Sequence, residues 1–171
     1  NKVFDFLYKI RDKITVYMDS KDYSMLKVVN KIQEGKYKRN HTANINMDLM
    51  KVISDTDSIT IKNKIHSPIS LIFALREKLL LKGKQFSYTT YSMGKTKNID
   101  INIIGEETVQ TSFGSFNSIL VMPKQKSNEI LLKNNGDMKI WYTDDKRKLP
   151  IKIEIKINLG TIVLLLESID E

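Results

Sequence analysis

The residues able to do catalytic or metal chemistry are few and widely spaced in this sequence. Only two histidines are present, His41 and His66, and neither has a second ligand at helical or hairpin spacing. Cysteine is absent, which excludes disulfides, thiolate metal sites and cysteine nucleophiles. The sequence therefore predicts no metal site and no cofactor.

Two pairs of adjacent carboxylates, Glu106-Glu107 and Asp144-Asp145, are the other candidates for chemistry. Neighbouring residues of a strand point to opposite faces, so adjacency alone does not bring two carboxylates together. Asp144-Asp145 precedes Lys146-Arg147, and this composition is typical of a turn. The sequence has no Gly-x-Ser-x-Gly motif, and a serine triad that uses one of the histidines stays open without any feature to indicate it. We therefore expect a non-catalytic protein.

Arg76 is the charge whose surroundings are unusual. It lies between Leu75 and Leu79 in an apolar segment, and an unpaired guanidinium is costly to bury. Either its side chain reaches solvent, or it pairs with a carboxylate such as Asp144 or Asp145.

The chain is basic, with a formal net charge of +8 and a pI of about 9.5. The densest basic runs are Lys36, Lys38, Arg39 and Lys146-Arg147-Lys148, and neither alternates with aromatic residues of the kind that stack on single-stranded nucleic acid. The lysines are otherwise spread along the chain, which indicates a solvated face. We expect no nucleic-acid partner.

Period-two alternation of apolar and polar residues dominates the sequence. It is clearest at 150–158, where four isoleucines alternate with charged residues, and this pattern is typical of a half-buried antiparallel strand. Turn residues at short intervals, with Asn135-Gly136-Asp137 the strongest hairpin signal, predict a meander. Tyr37–Met50 reads as a strand pair with a break near Asn40 or Asn44. We predict a mainly β fold over residues 1–171 as one domain: a strongly curved antiparallel sheet or open β-barrel with one helix packed in or across it.

The helix is predicted at residues 67–82. Ser67-Pro68 supplies a capping hydroxyl followed by proline at the first helical position, and Gly83 supplies a stop. The apolar residues between them recur at the spacing of one broad helix face.

Two runs, Ile119–Met122 and Ile162–Leu166, are apolar on both faces. A strand of this kind must be covered on both sides, by the helix, by the far wall of a barrel, by a partner chain or by an apolar ligand. If a ligand covers them, the strands and the helix would line its site. The predicted ligand-binding residues are Ile72, Phe73, Arg76, Leu80, Leu120, Met122, Trp141, Val163 and Leu165.

The chain begins at Asn1, and no stretch of 18 apolar residues occurs in it. We expect a processed chain from which a targeting signal has been removed, without a transmembrane segment.

Several segments that span nearly the whole chain carry a family resemblance: Arg11–Lys13, Val16–Asp19, Glu34–Tyr37, Ser67–Arg76, Gly105–Glu107, Thr111–Phe116, and Gly136–Asp145 with Arg147, Leu149 and Pro150. Together they resemble a bacterial family catalogued as domain-of-unknown-function family 3108. The departure from the family pattern is Ser67, where an aspartate usually precedes the helix proline.

The resemblance implies an exported protein of the periplasm or cell envelope, with a strongly curved antiparallel sheet or open barrel and the helix packed inside or across it, and it implies no activity. Two functions are expected. The first is a non-catalytic binding module that carries an apolar or lipid ligand. The alternative is a structural or protein-interaction module of the envelope that uses the C-terminal apolar strand as its interface with a partner.

Overall fold

The computed structural model describes residues 10–112, 114–125, 137–157 and 160–169. Eleven strands form two antiparallel sheets, one of five strands and one of six, in the described part of the chain. In both sheets the spatial order follows the chain order, so strands that are consecutive in the chain pair with each other. The strands of the first sheet are β1 (Lys13–Met18), β2 (Met25–Glu34), β3 (Tyr37–Asn46), β4 (Lys51–Ser54) and β5 (Ser58–Thr60).

The second sheet has the order β11-β10-β9-β8-β7-β6. Its longest strand, β7, crosses a bulge between Ile103 and Gly105, where the register with β8 shifts. The turn between β6 and β7 is Met93-Gly94, and both residues have positive φ, as a tight hairpin requires. The strands are β6 (Gln85–Ser92), β7 (Lys95–Thr111), β8 (Gly114–Gln125), β9 (Met138–Thr143), β10 (Pro150–Ile157) and β11 (Gly160–Leu165).

The predicted mainly β, antiparallel fold with one helix is confirmed. The sheets are two rather than one, and neither closes into a barrel. The predicted break in Tyr37–Met50 is wrong in position: β3 continues through Asn40 and Asn44, since both residues are held in register with β2. The predicted hairpin turn at Asn135-Gly136 lies outside the described residues.

The backbone contacts divide the chain into two compact units. The first contains the residues up to Leu71 together with Thr89–Thr96, and the second contains Ile72–Tyr88 and the residues from Lys97 onward. The prediction of one domain over residues 1–171 stays a prediction, and unfolding in a single transition is its test. The core of the first unit contains Met25, Val28, Ala43, Val52, Ile61, Ile65 and Tyr91.

The helix α1 (Pro68–Ala74) continues as a single 3₁₀ turn, Leu75–Glu77. Its start is as predicted, because the Ser67 hydroxyl accepts the Ser70 N–H at 3.0 Å and the Ser70 hydroxyl accepts the Ser67 N–H at 2.9 Å. Its predicted end at residue 82 is wrong, since Lys78 is already extended. The main chain at residues 83–84, just after the apolar run, instead exchanges hydrogen bonds with Ile103 of β7.

Candidate functional site

The strand β11 is an edge of the six-stranded sheet, paired with β10 alone in the described part of the chain. Its sequence from Gly160 to Leu165 contains no charge, and every residue in it is exposed. The four apolar side chains Ile162–Leu165 each keep between 45% and 52% of their surface accessible. The covering that the sequence predicted for Ile162–Leu166 is therefore incomplete in the described chain: Leu166 packs against the cluster that contains Trp141, while the four residues before it leave about half of their surface exposed. The strand is thus an exposed apolar edge.

The outer side of β11 also offers backbone hydrogen-bonding groups. The Leu166 N–H donates to the Ile151 carbonyl at 3.0 Å, which fixes the phase of the ladder between β10 and β11. In an antiparallel pair, every second residue of a strand forms backbone hydrogen bonds with the neighbouring strand. Leu166 is one of these residues, so the N–H and C=O groups of Thr161, Val163 and Leu165 point away from β10. An uncharged edge with outward backbone groups is a template for another strand.

The register places four residues of adjacent strands opposite one another. Leu120, Trp141, Lys152 and Leu165 form this row across β8, β9, β10 and β11. Residues that face each other in neighbouring strands share one face of the sheet. Met122 lies two positions from Leu120 in β8, and Val163 lies two positions from Leu165 in β11, so both side chains share this face of the sheet. The strand members of the predicted ligand-binding set thus lie on one face.

Trp141 is the centre of that face. Its side chain is 4% exposed and packs in a cluster with Val109, Leu120 and Ile151, with Met122 against the cluster. The face of Trp141, left open by the alternation of its strand, is therefore a buried one. Polar groups close the cluster: the indole N–H donates to Glu107 at 2.7 Å, and the Lys152 ammonium lies 4.4 Å from the ring centroid.

Lys152 is itself held by Glu154, with 3.1 Å between its Nζ and the Glu154 Oε2. Lys152 faces Leu165 and Glu154 faces Val163 in the register with β11, so charged groups lie between Trp141 and these two exposed residues. The face is apolar at its centre and at its edge, with an ion pair between.

The helix members of the predicted set lie apart from the strand members. Tyr142 follows Trp141 and so points to the opposite face, where its hydroxyl donates to the Ile72 carbonyl at 2.9 Å. Burial raises the pKa of this tyrosine strongly, so the hydroxyl is neutral and remains a donor. Phe73 is half-buried and Leu80 is buried. The Ile72 carbonyl therefore lies on the opposite side of the sheet from the strand members of the predicted set, and ligand binding by the nine residues stays a prediction.

Of the two outcomes predicted for Arg76, the structure shows the one in which the side chain reaches solvent. Its side chain is half-exposed, and its Nε donates to the Arg147 carbonyl at 3.0 Å. The nearby carboxylate Asp145 is engaged by Arg147 at 3.2 Å instead. Arg76 thus reaches solvent while one N–H binds a backbone carbonyl.

Neither histidine lies in a group of side chains that could bind a metal ion, among the residues that the structure describes. His41 is buried and its Nε2 lies 2.9 Å from the Tyr91 hydroxyl. Burial lowers the pKa of His41, and the charge of Arg39 lowers it further. Among the described residues, no three histidine, aspartate or glutamate side chains come close enough together to hold a metal ion. In the same residues, no helix has the length and apolar character needed to cross a bilayer.

Comparison with known proteins yields a family and no characterised relative. No curated protein and no solved structure matches the sequence. The model of one family, described as a protein of unknown function (DUF3108), matches residues 1–167. This match covers nearly the whole chain, including both sheets, the helix and the edge strand β11, and the chain therefore belongs to the DUF3108 family of proteins of unknown function.

Proposed function

We propose that the chain is a non-catalytic interaction module of the cell envelope, and that β11 binds a protein partner by accepting an additional strand. The observation that carries the proposal is the uncharged edge of β11, with four consecutive apolar side chains half exposed. Natural sheets protect their edges with charges, prolines or bulges. None of these occurs in Gly160–Leu165, so the edge is open to pairing.

The energetics of covering β11 favour a partner that brings hydrogen bonds as well as apolar surface. Fully burying a valine, leucine or isoleucine side chain stabilises by about 1.5–3 kcal/mol. About half of each of the four side chains is still exposed, so covering all of them contributes about 3–6 kcal/mol. Association costs about 4–15 kcal/mol. Burial of these side chains alone therefore offsets the free-energy cost of association only if that cost is near the lower end of its range.

A polypeptide strand supplies the remainder. The outward N–H and C=O groups of Thr161, Val163 and Leu165 would pair with its backbone. A lipid acyl chain offers no hydrogen-bonding group, and backbone groups left unpaired in an apolar environment are costly. The same edge therefore suits a strand better than a lipid, and lipid carriage becomes the competing outcome of the test.

Photo-crosslinking at the edge tests the proposal. A photo-reactive amino acid replaces Val163 in one variant and Ile104 in a matched control, since Ile104 is similarly exposed but lies in β7, between two other strands. We expect a protein adduct from position 163 alone in the native cell, and its loss when Leu165→Lys places a charge on the edge. An adduct of twice the chain mass would identify a second copy as the partner.

Two outcomes would refute strand addition. One is equal adducts from both positions, which indicates unspecific contact. The other is a stoichiometric lipid in an organic extract of the purified protein, with the adduct at position 163 made to that lipid. The location in the periplasm or envelope belongs to the same proposal; it is supported by the family resemblance, and fractionation of the full-length protein tests it.

A further inference from the structure

A cleft of about 270 Å³ opens on the first unit, at the end of the β2–β3 hairpin. Its lining is strongly basic and contains no carboxylate among the described residues. Four of the seven lining side chains are cations, and two more are amides that can donate hydrogen bonds. The lining residues are Arg11, Lys31, Ile32, Gln33, Lys38, Arg39 and Asn40.

The strand register brings these charges together from distant parts of the sequence. Lys31 faces Asn40, and Gln33 faces Lys38, across the β2–β3 ladder. Alternation then puts Lys31 and Lys38 on one face of the sheet, whereas Arg39, which faces Ile32, points to the other face. Arg11 is fixed beside them because its backbone N–H donates to the Gln33 carbonyl at 2.7 Å.

The positive charge of the cleft is not neutralised within the described chain. None of its four cations forms an ion pair there with a carboxylate. Lys31 also lies directly opposite Lys13 of β1, and like charges in facing positions destabilise a sheet. Asp12, which follows Arg11 in the chain, accepts the Gln33 N–H at 2.8 Å. An anion bound in the cleft would relieve this repulsion.

We propose that this cleft binds a phosphomonoester or diphosphate group. A phosphate carries a charge of about −1.5 to −2 at neutral pH, which matches several converging cations better than one carboxylate does. The guanidinium group of Arg11 can bind two phosphate oxygens, the ammonium groups of Lys31 and Lys38 can each bind one, and Asn40 supplies a further donor. The cleft volume is near the lower end of the range for small-molecule sites. Among the described residues, no aromatic ring lines the cleft that could stack on a nucleic-acid base.

The proposal is independent of strand addition at β11, and calorimetric titration of the whole chain with pyrophosphate tests it. The variant Arg11→Gln/Lys38→Gln removes two cations of the cleft that share one face of the sheet. The control Lys21→Gln/Lys62→Gln removes the same charge from exposed residues of the same unit that do not line the cleft. We expect the first to weaken binding at least about tenfold and the second less than about twofold, at roughly 150 mM salt.

A second arm distinguishes a soluble phosphate from a lipid headgroup. Vesicles of phosphatidylcholine, with and without phosphatidic acid, are floated with the protein. Binding that requires phosphatidic acid, that pyrophosphate displaces and that the cleft variant loses identifies a lipid headgroup, whereas pyrophosphate binding alone identifies a soluble ligand. The proposal is overturned if pyrophosphate does not bind, or if both variants weaken binding equally, since the basic surface is then unspecific.

Discussion

Replacing Trp141 by alanine tests whether the face behind β11 is a packed core. The side chain is 4% exposed and packs with Leu120 and Ile151, so its loss leaves a cavity that the surrounding sheet cannot fill. Removing a buried tryptophan costs about 3–5 kcal/mol. We expect Trp141→Ala to lower the free energy of unfolding by that amount, with an unchanged dependence on urea concentration.

The hydrogen bond to Glu107 contributes less than the packing. Glu107 is exposed, so its carboxylate is solvated again when the indole is lost, and the net contribution of such a bond is about 0.5–1.5 kcal/mol. The control Glu107→Gln keeps an acceptor oxygen and should cost less than about 1 kcal/mol. Urea melts of the three proteins give both values.

Fluorescence supplies a second readout, because the sequence contains a single tryptophan. Emission of the parent protein should be blue-shifted and poorly quenched by iodide. A cost below about 1 kcal/mol for Trp141→Ala, together with efficient quenching, would refute the packing described for this face.

Three further changes test separate contacts. Ser67→Ala should destabilise by about 1–3 kcal/mol in a urea melt, because the buried Ser70 N–H loses its acceptor; a cost near zero would contradict the cap. Tyr142→Phe should cost a similar amount, since the Ile72 carbonyl loses its donor, and a neutral effect would mean that this bond contributes nothing. His41 has a lowered pKa because it is buried, so the unfolded chain binds the proton more tightly; stability present above the unfolded pKa of about 6.5 is lost as the pH falls through the lower folded value. His41→Gln should therefore flatten the stability profile between about pH 7 and 5, and an unchanged slope would contradict this.

The strand content could be predicted because its signal is local. Alternation of isoleucine with charged residues fixes both the extended backbone and the face of β10, and no distant contact is needed to recognise it. The start of α1 was equally readable, since Ser67 and Pro68 act within one turn. Its end was not: Leu79–Leu81 continue the helical spacing, but pairing of the following main chain with Ile103 outweighs that preference.

The positions of the two candidate surfaces depend on strand register and on the order of strands in the sheet, and neither could be predicted from the sequence. The run Ile162–Leu166 predicted a strand that needs cover, and only the position of β11 at the sheet edge makes it exposed. The basic cleft was missed for the same reason. The run at Lys36, Lys38 and Arg39 reads as a solvated hairpin until the ladder sets Lys31 beside it and Arg11 is bound to Gln33.

The two proposed surfaces differ in the interactions that drive binding, so the dependence of binding on salt concentration distinguishes them. β11 has no charge, so binding there depends on apolar burial and backbone hydrogen bonds, which screening leaves nearly unchanged. The cleft binds by charge, and its exposed cations are screened within about 8 Å at physiological ionic strength. Between about 50 and 500 mM sodium chloride, pyrophosphate affinity should therefore fall several-fold while the adduct from position 163 keeps its yield. A parallel fall of both would mean that the basic surface, rather than the apolar edge, recruits the partner.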